Sequence, residues 1–191
     1  MTLQHTNRRG KIFYINQGVT TTGKPKYYFS SNSEGNLINE VPEGFEVYEN
    51  PNAQVFLRKI QPKIITDEEV AVVDNGMKKF TQLKYYLIDV KKNTIILFLS
   101  NQNPVNLSEI FQSYHKFDAI DIPSVLPKYL DYSPLMQFVL IDENKRIFNP
   151  QRYCFRGSVD DWIDIGESGK LPELVKTYLK HLEQDSFYDL F

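Results

Sequence analysis

The hydrophobic period of this chain changes at Thr66, and that change limits its fold more than any other feature. Before Thr66, aromatic and β-branched residues come in short runs that alternate with polar ones, the period of a half-buried strand. After it, Val70, Val73, Met77 and Phe80 recur at helical spacing behind Thr66-Asp67-Glu68-Glu69. That tetrapeptide is a capping box, in which the Thr hydroxyl accepts from the Glu69 amide while the Glu69 carboxylate reaches back. A helix is therefore expected over 67–80, with acids in its first turn and Lys78-Lys79 at its far end, as the helix dipole favours.

Upstream, Lys11–Asn16 and Lys26–Ser30 flank a polar stretch holding Gly18 and Gly23, the pattern of a hairpin. Phe45–Glu49 and Gln54–Lys59 flank Asn50-Pro51-Asn52-Ala53, where Pro after Asn suits a tight turn. Downstream, Tyr85–Val90 and Thr94–Leu99 form a third hairpin. A second helix is expected from Asn106, with Ile110, Phe111, Tyr114 and Phe117 inward, and a short proline-punctuated one over Ser124–Asp131. Gln137–Ile141 and Arg146–Phe155 form a fourth hairpin. A last helix runs from Pro172 to about Gln184, burying Leu174, Val175, Tyr178, Leu179 and Leu182.

The expected fold is α+β: N-terminal β-hairpins followed by an αββαββα two-layer arrangement with a mainly antiparallel sheet. Residues 1–63 make the hairpin region and 64–191 the α+β region, as two domains or as one continuous domain over 1–191. Tyr86-Leu87-Ile88-Asp89 and Val139-Leu140-Ile141-Asp142 precede corresponding turns, which is compatible with an αββ duplication or with chance in apolar strands.

Charge is distributed in blocks. The formal charge of -2 averages a basic stretch over 1–33, an acidic one over 34–57, a basic one over 58–99 and an acidic one over 100–191. Such a balance excludes a wholesale polynucleotide wrapper and an acidic tail protein. With 41% hydrophobic residues the chain is not intrinsically disordered. Cys154 is the single cysteine, so an intrachain disulfide and a cysteine zinc cluster are both excluded. Between Tyr153 and Phe155 it reads as a small apolar packing residue. The N-terminal residues lack a signal peptide's apolar core, and Ile95–Leu99 is the longest purely apolar run, so a cytoplasmic protein without membrane association is expected.

Two enzyme signatures fail on local chemistry. Gly18-Val19-Thr20-Thr21-Thr22-Gly23-Lys24 resembles a phosphate-binding loop, yet Pro25 stands where a metal-binding hydroxyl is needed, and a strand follows instead of a helix. Arg156-Gly157-Ser158-Val159-Asp160 lacks the second glycine of a nucleophile elbow. His5, His115 and His181 show no metal-binding spacing.

Three functional readings remain, and the sequence alone does not recover a function. The leading one is a non-catalytic interaction protein with a protein partner, without cofactor or metal. Its docking segment would be Arg156, Asp160, Asp161 and Trp162, where the only tryptophan stands among acids. The second is nucleic-acid binding by Arg8, Arg9, Lys11, Lys24, Lys26 and Tyr27, cations beside aromatic faces. The third is a divalent-metal-dependent phosphodiesterase or nuclease using Asp89 with Lys91, or Glu143 with Lys145. All four of these last residues stand at turns, where they are ordinary.

Overall fold

The computed structural model describes residues 2–102 and 125–190. The helix expected from Asn106, with His115 on it, lies outside the described residues. The chain divides into two compact units: Met1–Gln61 with Gln102–Asp131, and Pro62–Asn101 with Tyr132–Phe191. Both are built on antiparallel strands, so the fold is α+β with N-terminal hairpins.

In the first unit, β1 (Gln4–Thr6), β2 (Ile12–Val19) and β3 (Pro25–Ser30) form one sheet. β4 (Phe45–Glu49) pairs with β5 (Val55–Lys59) in a separate hairpin. β1 lies upstream of the first hairpin expected from the sequence, which begins at Lys11. Its order comes from side chains as well as from the ladder. His5 lies 3.2 Å from Glu49 Oε2, and buried Asn7 donates from Nδ2 to the Ala53 carbonyl at 2.7 Å. Asn7 Oδ1 also accepts from the Lys11 amide at 2.8 Å, so one side chain closes the β1–β2 turn and ties it to the β4–β5 turn. Ile15, Ala53, Val55, Leu126 and Leu130 are buried. In place of the helix expected over Ser124–Asp131, the described residues show a helical Val125 followed by the 3₁₀ turn Leu126–Lys128, with Pro127 inside it. Proline cannot continue a longer helix there.

The second unit opens with α1 (Asp67–Phe80), and the capping box is formed: Glu69 N to Thr66 Oγ1 is 3.3 Å and Thr66 N to Glu69 Oε2 is 2.9 Å. Five strands then run as a meander: β6 (Tyr86–Lys91), β7 (Thr94–Ser100), β8 (Tyr132–Asp142), β9 (Ile147–Arg156) and β10 (Val159–Asp164). A two-residue strand, β11 (Gly169–Lys170), joins β9 beyond the end of β10. β8 starts five residues before the expected Gln137, and a register shift that skips Leu135 sits directly beside Pro134. Bulges are where a ladder tolerates proline. Pro150 is tolerated in β9 for a related reason. Its carbonyl accepts from Ile165 N at 3.2 Å, so its nitrogen also faces the side on which β10 has ended.

α2 (Leu171–Tyr178) is shorter than the expected helix, continuing as a 3₁₀ turn over Leu179–His181. Leu182 N bonds to Leu179 O, the tightening common where an α-helix ends. The expected stripe of Leu174, Val175, Tyr178, Leu179 and Leu182 is nevertheless buried, with Val73 and Met77 of α1 and Ile95, Leu97, Met136, Phe138 and Phe148 of the sheet. Both helices therefore cover one face of the sheet, and the sequence alternation leaves the other face to carry polar groups.

Candidate functional site

The opposite face carries a row of directly paired residues running Asp89, Ile96, Gln137, Gln151 and Asp164 across the five strands. Gln137 Nε2 donates to Gln151 Oε1 at 2.6 Å, and Gln151 Nε2 donates to Asp164 Oδ1 at 2.9 Å. Asn149 Nδ2 also reaches Asp164 Oδ1 at 2.5 Å, while Ser168 Oγ donates to Asn149 Oδ1 at 3.1 Å. These bonds, that of Gln151 first and Asn149 second, hold the Asp164 carboxyl below its ordinary range against the opposing effect of burial. Asp164 is thus a fixed negative charge at the sheet's exposed margin.

Beyond this row the sheet narrows. Pairing of β8 with β9 ends at Met136 and Arg152, whereas β9 and β10 stay paired out to Arg156 and Val159. Tyr153–Arg156 and Val159–Trp162 consequently extend as a two-stranded ribbon. Gly157, at φ 63°, opens the two-residue Gly157-Ser158 loop, as a tight hairpin of this twist requires. On one face of the ribbon lie Tyr153 and Phe155, paired with Trp162 and Asp160. The Tyr153 and Trp162 rings meet edge to face at 5.1 Å, and the Tyr153 hydroxyl donates to Asp160 Oδ1. That bond leads the causes that raise the Tyr153 hydroxyl above the usual tyrosine range. Phe155 is 82% exposed.

The other face holds Cys154 between Arg152 and Arg156, as alternation along a strand dictates. Arg152 is buried and donates to the Tyr188 carbonyl at 3.0 Å, while Cys154 is half-buried. The open edge of β10 is blunted from within. Ile165 N faces β9, so by alternation the amides of residues 160, 162 and 164 face outward. The Trp162 amide donates instead to the adjacent Asp161 carboxylate at 2.7 Å. Strand-edge acids and internal satisfaction of edge amides are defences against unwanted pairing.

Of the docking residues singled out from the sequence, Arg156, Asp160, Asp161 and Trp162 thus share one ribbon. Phe155, its most exposed large hydrophobic side chain, was missed, and so were Gln151 and Asn149, which fix Asp164. Gly157-Ser158 is a two-residue hairpin signal that places Phe155 near a tip.

The basic residues of the first unit are dispersed by their contacts. Arg8 donates from its guanidinium to the Pro51 carbonyl and from its amide to Glu49 at 2.9 Å. Arg9 reaches the Leu130 carbonyl at 3.1 Å and pairs with Asp131. Lys11 lies 5.4 Å from the Phe13 ring centroid. Tyr27 packs edge to face on Phe45 at 5.9 Å. Lys24 and Lys26 are exposed, and the aromatic sharing the face of Lys26 is Tyr28, while Tyr27 points to the other face. Gly18 sits in β2 opposite Lys26, and Thr20 to Lys24 close a tight hairpin turn through the 2.8 Å bond from Thr20 N to Lys24 O.

Among the acids, Asp89 and Lys91 pair at 3.8 Å on one strand face. Asp89 and Asp164 share a row but stand four strand spacings apart, about 19 Å. Asp142 accepts from the Lys145 amide at 2.8 Å, closing the turn that contains Glu143. Among the described residues, no three His, Cys, Asp or Glu side chains are grouped to hold a metal ion. An open depression of about 340 Å³ lies at the end of α1, lined by Lys78, Thr81, Gln82, Leu83, Lys84 and Tyr86. Two of these, Lys78 and Tyr86, are bonded to Asp74. Among the described residues, no helix is long and apolar enough to cross a membrane. No protein-family model, curated protein or solved structure matches the chain.

Proposed function

We propose that this protein is a non-catalytic binding protein and that it docks a protein partner through the β9–β10 ribbon. The observation that carries this reading is the exposure of Phe155, 82% accessible on an arm that has left the body of the sheet. A large aromatic at that position adds nothing to the core, and an isolated ribbon is marginal in water unless something covers it. Tyr153 and Trp162 share its face, Asp160 pairs directly opposite it and Arg156 follows it in the strand; Trp, Tyr and Arg are the residue types that dominate binding hot spots.

The test is contact mapping on the full chain in its native cells. A photoreactive phenylalanine analogue replaces Phe155, or replaces Glu68 on α1 as a control. A discrete crosslinked adduct is expected at 155 and not at 68. It should be suppressed by excess unlabelled wild-type chain but not by excess Phe155→Ser chain. No adduct at 155, or equal suppression by both competitors, overturns the reading.

A further inference from the structure

On the docking role proposed above rests a more specific statement about the occupant. Along β10, Asp160, Trp162 and Asp164 point to the same face at successive alternate positions. With a rise of about 3.3 Å per residue, the two carboxylates are anchored about 13 Å apart with the indole between them. The carboxylates are oriented from below. Tyr153 bonds Asp160 through Oδ1, and Gln151 and Asn149 both bond Asp164 through Oδ1. Each carboxylate keeps accepting capacity for a further cation.

We propose that this face receives an extended basic polypeptide segment, with cations at positions i and i+4 and an apolar residue at i+2. An extended chain has the same rise as β10, so cations four residues apart span the separation of Asp160 and Asp164. The residue between them lands on the Trp162, Tyr153 and Phe155 surface. An arginine at either end also finds an aromatic face.

Two observations select this occupant over others. Between Arg156 and Lys170 the chain carries Asp160, Asp161, Asp164 and Glu167 and no cation, which repels phosphate-bearing partners such as nucleic acids and anionic lipid. Addition of a strand to the open edge meets a Trp162 amide already bonded to Asp161. The segment therefore lies across the face and does not extend the sheet.

Trp162 is the only tryptophan, so its fluorescence reports the site directly. The full chain is titrated with the capped peptide Lys-Ser-Leu-Ser-Lys. Two controls are Glu-Ser-Leu-Ser-Glu and Lys-Leu-Lys-Ser-Ser, the second with the same charge at the wrong spacing. A saturable change in emission is expected with the first peptide, weakening as salt is raised. Binding should be about fivefold weaker in Asp160→Asn/Asp164→Asn, as two exposed ion pairs imply. Phe155→Ser, which removes an exposed ring, should weaken binding as well. Equal response to all three peptides, or no effect of the Asn pair in a chain with unchanged circular dichroism, overturns the proposal. A crosslink at 155 without any response to the basic peptide overturns the basic occupant and leaves the docking role standing. Failure of both overturns the two together.

Discussion

Gly76 of α1 meets Val175 of α2 so closely that a β-carbon on residue 76 would stand 2.2 Å from Val175 Cγ1, and 3.0 Å from Leu179 Cδ1. The crossing of the two helices depends on the missing side chain. Glycine inside a helix costs about 1 kcal/mol in propensity, so Gly76→Ala would stabilise an isolated α1. Here overpacking opposes it at about 1–3 kcal/mol, and Val175 is β-branched and stiff, unable to swing aside. We expect Gly76→Ala to destabilise the chain by about 1–2 kcal/mol in urea unfolding. Adding Val175→Ala should show a favourable coupling in a double-mutant cycle. A neutral or stabilising Gly76→Ala would show that the helices part at little cost.

Glu69 has two duties, and its replacement should be more damaging than loss of the cap alone. Its carboxylate accepts from Thr66 N, and it also receives Arg146 Nε at 2.8 Å and Arg146 Nη2 at 2.5 Å. Arg146 sits in the left-handed region, at φ 48°, where the β8–β9 turn ends, and it also donates to the Ile64 carbonyl. A glutamine at 69 keeps the shape but turns an amide donor toward the guanidinium. Glu69→Gln should cost about 1–3 kcal/mol, as charge-assisted bonds do, against about 1 kcal/mol for Thr66→Ala. Equal losses in parallel urea titrations would mean that the Arg146 pair contributes little.

Much of this architecture is legible in the residues. Thr66 and Glu69 announce α1 because capping is local chemistry, and the four hairpins follow from period-two alternation between turn residues. The stripe from Leu174 to Leu182 is legible too, although the α-helix tightens at Leu179 before using it all. β1 is not legible, because its order depends on contacts of His5 and Asn7 with residues more than 40 positions away. β10 is masked by its own acids: Asp160, Asp161 and Asp164 suggest a loop, whereas an edge strand uses them for protection. Arg8 and Arg9 resemble a basic surface in sequence because their partners, Glu49, Pro51 and Asp131, are distant along the chain. Phe155 presents the reverse problem. Its local alternation is that of any strand, and it is left outside because it falls on the face opposite the helices and beyond the last β8–β9 pair.

The two phenylalanines of β9 should therefore respond oppositely to the same substitution. Phe148 is 1% exposed within the core, and Phe155 is the outlying residue of the ribbon. Phe148→Ser should cost about 3–5 kcal/mol through the cavity and the buried hydroxyl. Phe155→Ser should remain within about 0.5 kcal/mol of wild type, as surface replacements do. Thermal melts of the two variants decide it. A large loss for Phe155→Ser would show that the ring supports the fold, and its exposure would no longer argue for a partner.

The pair Asp74 and Tyr86 predicts how stability varies at both ends of the pH range. The Tyr86 hydroxyl donates to Asp74 Oδ1 at 2.7 Å, and Lys78 Nζ donates to Asp74 Oδ2 at 2.5 Å. The Lys78 bond is the main cause holding the Asp74 carboxyl below its usual value; burial opposes it and the Tyr86 bond adds to it. Burial first, and then the bond to Asp74, push the Tyr86 hydroxyl well above the tyrosine range. A carboxyl depressed by folding contributes stability above its unfolded pKa of about 4, and that contribution disappears as pH falls through the lower folded value. A phenol raised by folding contributes fully below its unfolded pKa of about 10, and the contribution is lost as pH rises toward the higher folded value. In Tyr86→Phe the alkaline loss attributable to this residue should vanish, and carboxyl NMR should place the Asp74 midpoint higher than in wild type. It should still lie below the ordinary aspartate value, because Lys78 remains. An Asp74 midpoint unmoved by Tyr86→Phe would mean that the lysine alone sets it, and that the tyrosine bond carries no electrostatic weight.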